Sequence, residues 1–298
     1  MVLRRLKSNT YFQAIKKFFS AMYNGIDKDD CLGQATKISY NMLFSLIPFL
    51  IITIMILTFL GLDKNNISEI LGLVTQVLPP EIHDLISGFI QRILTTPPSG
   101  LFGISIILII WSSTTVFSEI IFGLNRIANT REFRSFWKRR LLALFLVIGV
   151  GMITGIALLF IIFGMKTIKS LGIPEIQPLG ILHYRWPISL FFLFISAIVL
   201  YTIAPATRPR MIHTLPGAVF FMSFVSLLTI LLQKGVIKFV YRNALYGTLG
   251  SGLLLMAWFF MVSLILLVGA EINAIIERWN VSLHKIAEQE GLGDSDIT

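Results

Sequence analysis

The stretch Ile38–Leu62, ISYNMLFSLIPFLIITIMILTFLGL, decides the solvent in which this chain folds. Its only interruptions to apolar character are Ser39, Tyr40, Asn41, Ser45, Pro48, Thr53, Thr58 and Gly61, and none of these is charged. A helix rises about 1.5 Å per residue, so a run of this length covers the hydrocarbon core of a bilayer, about 30 Å. Five more such runs follow, Gly100–Asn125, Leu141–Met165, Trp186–Ala204, Leu215–Leu232 and Gly252–Ile276. In lipid the backbone must satisfy its own polar groups, which makes each run a predicted helix. The expected fold class is all-α, a polytopic membrane protein with six transmembrane helices plus outer-surface amphipathic helices.

Composition agrees. The chain is 55% hydrophobic and 14% charged, against soluble averages of about 45 to 50% and about 25%. The 298 residues leave no stretch large enough for a second globular unit. The expected organisation is a basic amphipathic arm over residues 1–37, one membrane domain over 38–278 and a tail over 279–298. Residues 1–37 contain no apolar run of signal-peptide length, so the N-terminus is expected to be retained.

Orientation follows from the basic residues, because positively charged loops near spans resist translocation. Of the 25 Lys and Arg, 17 fall in the N-terminal arm, the second and fourth connectors and the tail, and 8 in the other connectors. Both termini are therefore expected in the cytoplasm. The net charge of +9 then reads as an orientation signal and an attraction to anionic lipid headgroups. No nucleic-acid partner is expected.

Two connectors carry more than a link. After Asn66, the apolar residues Ile67, Ile70, Leu71, Val74 and Leu78 recur at helical spacing, with Glu69 completing a capping signature. Pro79-Pro80 stops that helix, and Ile82, Leu85, Ile86, Phe89, Ile90, Ile93 and Leu94 stripe a second one that ends before Pro97-Pro98. Two amphipathic helices over about 66–95 are expected, lying on the outer membrane surface or capping an outward opening. In the arm, Tyr11, Phe12, Ile15, Phe18, Phe19 and Met22 with Lys16 and Lys17 predict an interfacial basic helix.

Ionisable residues within spans are costly in hydrocarbon and so mark functional candidates. Glu119 and Glu271 each lie about nineteen residues after the start of a span, which puts both near the cytoplasmic face. Ser112, Thr115, Glu119, Gly123 and Arg126 share one helix face; Glu271 and Arg278 share another, with Asn273 nearby. Lys37, Tyr40 and Asn41 enter the first span at the same depth, and Tyr201, Arg208 and Arg210 approach from the fourth. The candidate substrate-binding vestibule is thus Lys37, Tyr40, Asn41, Glu119, Arg126, Arg208, Arg210, Glu271 and Asn273. The competing reading is that these charges lock the helices together.

Other signals are local. Gly151 and Gly155 make a GxxxG pair, expected to serve close packing within the monomer. Residues 246–252, YGTLGSG, lack a phosphate-loop lysine and predict a flexible outer turn or re-entrant entry. Pro48 and Pro216 predict bends. Arg208-Pro209-Arg210 with His213 has the donors to hold phosphate, although a short positive-inside loop accounts for the same residues. The four histidines have no metal-ligand spacing, and Cys31 stands alone, so no metal, cofactor or catalytic residue is assigned.

The order of motifs resembles a known family. Gln34-Ala35-Thr36-Lys37-Ile38-Ser39-Tyr40 runs into Ser45-Leu46-Ile47-Pro48. Trp111-Ser112-Ser113, Pro216-Gly217-Ala218, Tyr246-Gly247 with Trp258, and Gly269-Ala270-Glu271-Ile272-Asn273 follow. Over about residues 31–278 the chain resembles the YihY/BrkB family of bacterial inner-membrane proteins. The resemblance implies a six-helix protein of the cytoplasmic membrane, with transport of lipid or envelope precursors and a link to virulence among the suggested roles. It also carries the historical label ribonuclease BN, for which this sequence offers no clustered His/Asp site. The expected function is translocation of an amphipathic or anionic envelope substrate, with lipid-linked molecules among the candidates. The alternatives are a membrane scaffold or envelope-stress partner, and an intramembrane enzyme. Expected partners are membrane lipids and, as an open alternative, a second copy of the chain.

Overall fold

The computed structural model describes residues 2–59, 63, 67–68, 80–95, 102–170, 179–232 and 247–290. These are helical apart from short turns, with no strand among the described residues. The helices are α1 (Val2–Lys28), α2 (Cys31–Phe59), α3 (Pro80–Thr95), α4 (Phe102–Ile127), α5 (Phe136–Ser170), α6 (Leu179–Ile203), α7 (Met211–Leu231) and α8 (Gly247–Glu290).

Each predicted apolar run coincides with one long helix, and most of the helices extend beyond the apolar window. Hydrophobicity marks the depth of oil a helix crosses, whereas hydrogen bonding lets the helix continue into polar sequence. Hence α5 begins at Phe136, ahead of Arg139 and Arg140, and α8 runs on to Glu290. Among the described residues, Met211–Leu231 and Gly252–Trp279 are long and apolar enough to cross a membrane.

Helix α2 packs on α4, α4 on α5, α5 on α6, α6 on α7, α7 on α8 and α8 back on α2, so the six long helices close a ring. Helix α1 lies against α8 and α2 at one end, and α3 against α8 and α2 at the other. The larger buried cluster gathers Ile38, Ile121, Leu124, Leu146, Tyr201, Phe221 and Leu267 from all six ring helices. A smaller one places Ile86 and Ile90 of α3 with Ile67 against Leu255 and Phe259 of α8. Outward, the ring exposes Ile107, Leu108, Phe145, Met152, Leu227, Leu231, Leu253 and Met261. An apolar exterior of this extent fits a lipid solvent, since soluble monomers seldom show large contiguous apolar patches.

Close approach depends on absent side chains. A Cβ on Gly217 of α7 would meet the Gly269 carbonyl oxygen and the Asn273 amide of α8. A Cβ on Gly123 of α4 would come within 2.8 Å of Gln34 Cγ on α2. By contrast, nothing lies within 4 Å of a Cβ built on Gly149 or Gly151. Gly151 therefore makes no close approach among the described residues, although Val150 beside it packs against the larger buried cluster; the surroundings of Gly155 lie outside them.

One further expectation shifts. Gly247 to Gly252 form the first turns of α8 and not a flexible turn; the apolar sequence after them carries the helix back through residues that cost about 0.5 to 1 kcal/mol each relative to Ala. Helix α2 continues through Pro48 and α7 through Pro216. Of the two amphipathic helices expected on the outer surface, the second appears as α3. The first lies outside the described residues except for Ile67 and Ser68, which are helical. In α1, Lys16, Lys17 and Phe19 are exposed, while Phe18 meets Trp279 of α8 edge-on at 5.9 Å.

Candidate functional site

The turn between α1 and α2 brings the polar groups together. It reverses at Asp30, whose φ of 50° lies in the left-handed region that Asp tolerates better than most residues. Arg126 of α4 holds this turn by donating to the Lys28 carbonyl at 3.2 Å and approaching Asp30 Oδ2 at 3.7 Å. Lys28 Nζ in turn donates to Asn129 Oδ1 at 3.0 Å.

Glu271 sits beneath that turn, fully buried. Helix α1 passes so close that a Cβ on Gly25 would overlap the Glu271 carboxylate. Arg278, two turns along α8, donates from Nη2 to Glu271 Oε1 at 2.7 Å. Glu271 Oε2 has no hydrogen-bond partner among the described residues, nor has Oδ2 of the buried Asp29. Burial pushes the Asp29 carboxyl up from its ordinary value, against the opposing pull of Lys28, Arg278 and Arg126. Burial also pushes the Cys31 thiol up to about 12, with the Glu271 and Asp29 charges adding to the effect. Cys31 is therefore a neutral packing residue at physiological pH.

The other carboxylate, Glu119, faces α2. Gln34 Nε2 donates to Glu119 Oε2 at 3.0 Å and to the Glu119 carbonyl at 2.8 Å. Gln34 and Cys31 are one turn apart, so the first turns of α2 connect the surroundings of both glutamates. Thr115, on the same stripe as Glu119, accepts from Arg140 Nη2 at 3.2 Å. The Arg140 guanidinium also stacks 3.8 Å over the Trp111 ring.

Asn273 stands on α8 about half a turn from Glu271 and accepts from the Gly217 backbone N–H at 2.7 Å. That bond fixes the amide, since Oδ1 must be the acceptor, and leaves Nδ2 as a buried donor with no partner among the described residues. A cavity of about 40 Å³ opens beside it, between α4, α8 and the loop from α6 to α7. Asn125 holds this loop in place, accepting from Ala206 N–H at 2.7 Å and donating to Glu132.

The nine candidate residues thus divide into contacts of different kinds. Glu119 bonds Gln34, Glu271 bonds Arg278, Arg126 holds the α1–α2 turn, and Asn273 joins α8 to α7. Arg208 and Arg210 are exposed on the loop, with Thr207 and Pro209 between and beside them lining the cavity. Lys37 and Tyr40 are also exposed, Tyr40 lying 4.6 Å from the Phe44 ring, and Asn41 donates to its own helix at Lys37 O. Sequence reasoning did not single out Asp29, Gly25 or Gln34 as partners of these groups. The signal available for Gln34 was its place at the head of the quoted motif. Among the described residues, no group of three or more His, Cys, Asp or Glu is placed to hold a metal ion.

A helical ring with an apolar exterior and its buried carboxylates gathered at one end defines an α-helical membrane protein. The chain belongs to the family described as Virulence factor BrkB, whose model matches residues 22–291. It is 27% identical over 265 residues to YfkH of Bacillus subtilis (strain 168), a protein carrying a ribonuclease-like label, covering 88% of this chain and 95% of that one. It is 22% identical over 267 residues to UPF0761 membrane proteins of Delftia acidovorans and Albidiferax ferrireducens, covering 89% of this chain. The chain spans 63% of the length of those two relatives. No solved structure matches.

Proposed function

We propose that this chain is a six-span, transporter-like protein of the bacterial cytoplasmic membrane, with both termini in the cytoplasm. It moves an amphipathic or anionic, lipid-linked envelope substrate. The observation that carries the reading is the fully buried Glu271, held by Arg278 on one oxygen and unpartnered on the other among the described residues. A buried carboxylate left half-satisfied is costly, and intramembrane ionisable groups mark substrate or ion pathways by default. The exposed Arg208 and Arg210 supply positive charge at the same end of the ring for an anionic headgroup.

A second reading, a scaffold without transport, is favoured by a different observation. Glu119 and Arg126 both engage partners within the chain, Gln34 and the α1–α2 turn, and charges so engaged can simply fix the helices.

Flux in vesicles reconstituted with fluorescent-tailed anionic phospholipid separates the two. Wild type should move the lipid, and Glu271→Gln and Arg208→Gln should each slow it by about tenfold, equivalent to about 1.4 kcal/mol in the barrier. Well-folded variants that move lipid at the wild-type rate would make these charges structural. Absence of flux by wild type would favour the scaffold.

A further inference from the structure

We propose that Asp29 and Glu271 hold one exchangeable proton between them, so that the interface of α1 with α8 is a proton-binding site. Both residues are buried, at 4% and 0% exposure, and each carries one oxygen, Oδ2 and Oε2, that no donor reaches among the described residues. A carboxylate only accepts hydrogen bonds, whereas a carboxylic acid also donates one. A single proton therefore supplies the donor that the two vacant oxygens lack.

The helices bring the two acids to one place. The Asp29 N–H donates to Gly25 O at 2.9 Å, which puts Asp29 one turn beyond Gly25 on the same face of α1. Gly25 itself lies against the Glu271 carboxylate, where any Cβ would overlap it. The charges of both acids also act on the Cys31 thiol at the start of α2.

The surrounding charges leave the pair one positive charge short. Arg278 is bonded to Glu271 Oε1. The other nearby cations are engaged elsewhere, Lys28 of α1 with Asn129, and Arg126 of α4 with the Lys28 carbonyl and Asp30. Among the nearby acids, Glu119 of α4 accepts from Gln34, while Asp27 and Asp30 are exposed. Helices α6 and α7 meet α8 at Gly269 and Asn273, each two residues from Glu271 and so on the opposite face of the helix. On that face Tyr201 donates to Leu266 O, and His213 and Glu277 line the cavity beside Asn273. Two buried carboxylates against one bonded guanidinium would carry a net negative charge, which both burial and like-charge repulsion oppose. One proton removes it. The Arg278 side chain is 46% exposed, which leaves the pair one side chain away from water.

This inference deepens the transport reading and rests on it for biological meaning, the proton then being the coupling ion. Proton binding itself is measured without flux. Infrared spectroscopy of the full-length protein in phosphatidylcholine vesicles follows the carbonyl stretch of protonated carboxyl groups across neutral pH. Wild type should show one such band, lost with a single midpoint as pH rises and absent from the Asp29→Asn, Glu271→Gln double variant. In each single variant the remaining acid has no like charge beside it, so the midpoint should fall by at least about one pH unit.

The S–H stretch of Cys31 reads the same event in the unaltered protein and should shift with the same midpoint, which keeps the site testable if the variants do not fold. A midpoint unmoved in both single variants, a Cys31 stretch constant through the transition, or no protonated carboxyl at neutral pH would overturn the proposal. A band abolished by sodium ions at constant pH would assign the pair to a metal cation and overturn it too. Proton sharing in a protein that moves no lipid would instead count against translocation alone.

Discussion

Asp29 shows at the scale of one residue why the polar end of this protein was hard to read. In sequence it belongs to Asp27-Lys28-Asp29-Asp30, an ordinary solvated run, yet folding buries it in the turn after α1 with Oδ2 unpartnered among the described residues. Burial depends on which helix crosses above, and nothing local encodes that. Glu271–Arg278, in contrast, was legible, since seven residues are two helical turns. A raised carboxyl in the folded state favours folding when protonated. The contribution is therefore full below about pH 3.8, the ordinary value, and is lost as pH rises through the higher folded value. Asp29→Asn removes the buried charge. Its melting temperature should match that of wild type at pH 4 and lie about 2 °C above it at pH 7. Thermal unfolding across that range checks the sign, and a variant that becomes progressively less stable toward pH 7 would show that the Lys28, Arg278 and Arg126 charges outweigh burial.

At the scale of elements, length and hydropathy made the all-helical class and the long helices readable, because a bilayer demands about 20 apolar residues whatever the neighbours. Which helix faces which was not readable. The pairing of α7 with α8 turns on Gly217 meeting Gly269 and Asn273, whereas the more conspicuous glycines at 149 and 151 meet nothing. The connectors follow the same rule. Asn125 looks like the end of a span, but it staples two loops by accepting from Ala206 and donating to Glu132. Asn125→Ala should orphan the Ala206 N–H at about 1 to 3 kcal/mol and loosen both loops. Limited trypsin digestion of the detergent-solubilised protein should then cut after the exposed Arg131 and Arg210 several times faster than in wild type. An unchanged digestion rate would mean that Arg134, which donates to Ala204 O at 3.1 Å, suffices to hold the loop.

For the whole molecule, the central claim is that a closed ring of helices crosses the membrane with its ionic end in the cytoplasm and α3 outside. The ring, the apolar exterior and the family assignment support a membrane protein, and the proposed direction rests on the distribution of Lys and Arg. The most direct test introduces single cysteines at Ser87 in α3 and at Arg131 in the α4–α5 loop of a Cys31→Ala protein, followed by labelling of intact cells with a membrane-impermeant maleimide. The account predicts modification at position 87 without permeabilisation and at position 131 only after it. Labelling of position 131 in intact cells, with position 87 protected, would contradict it.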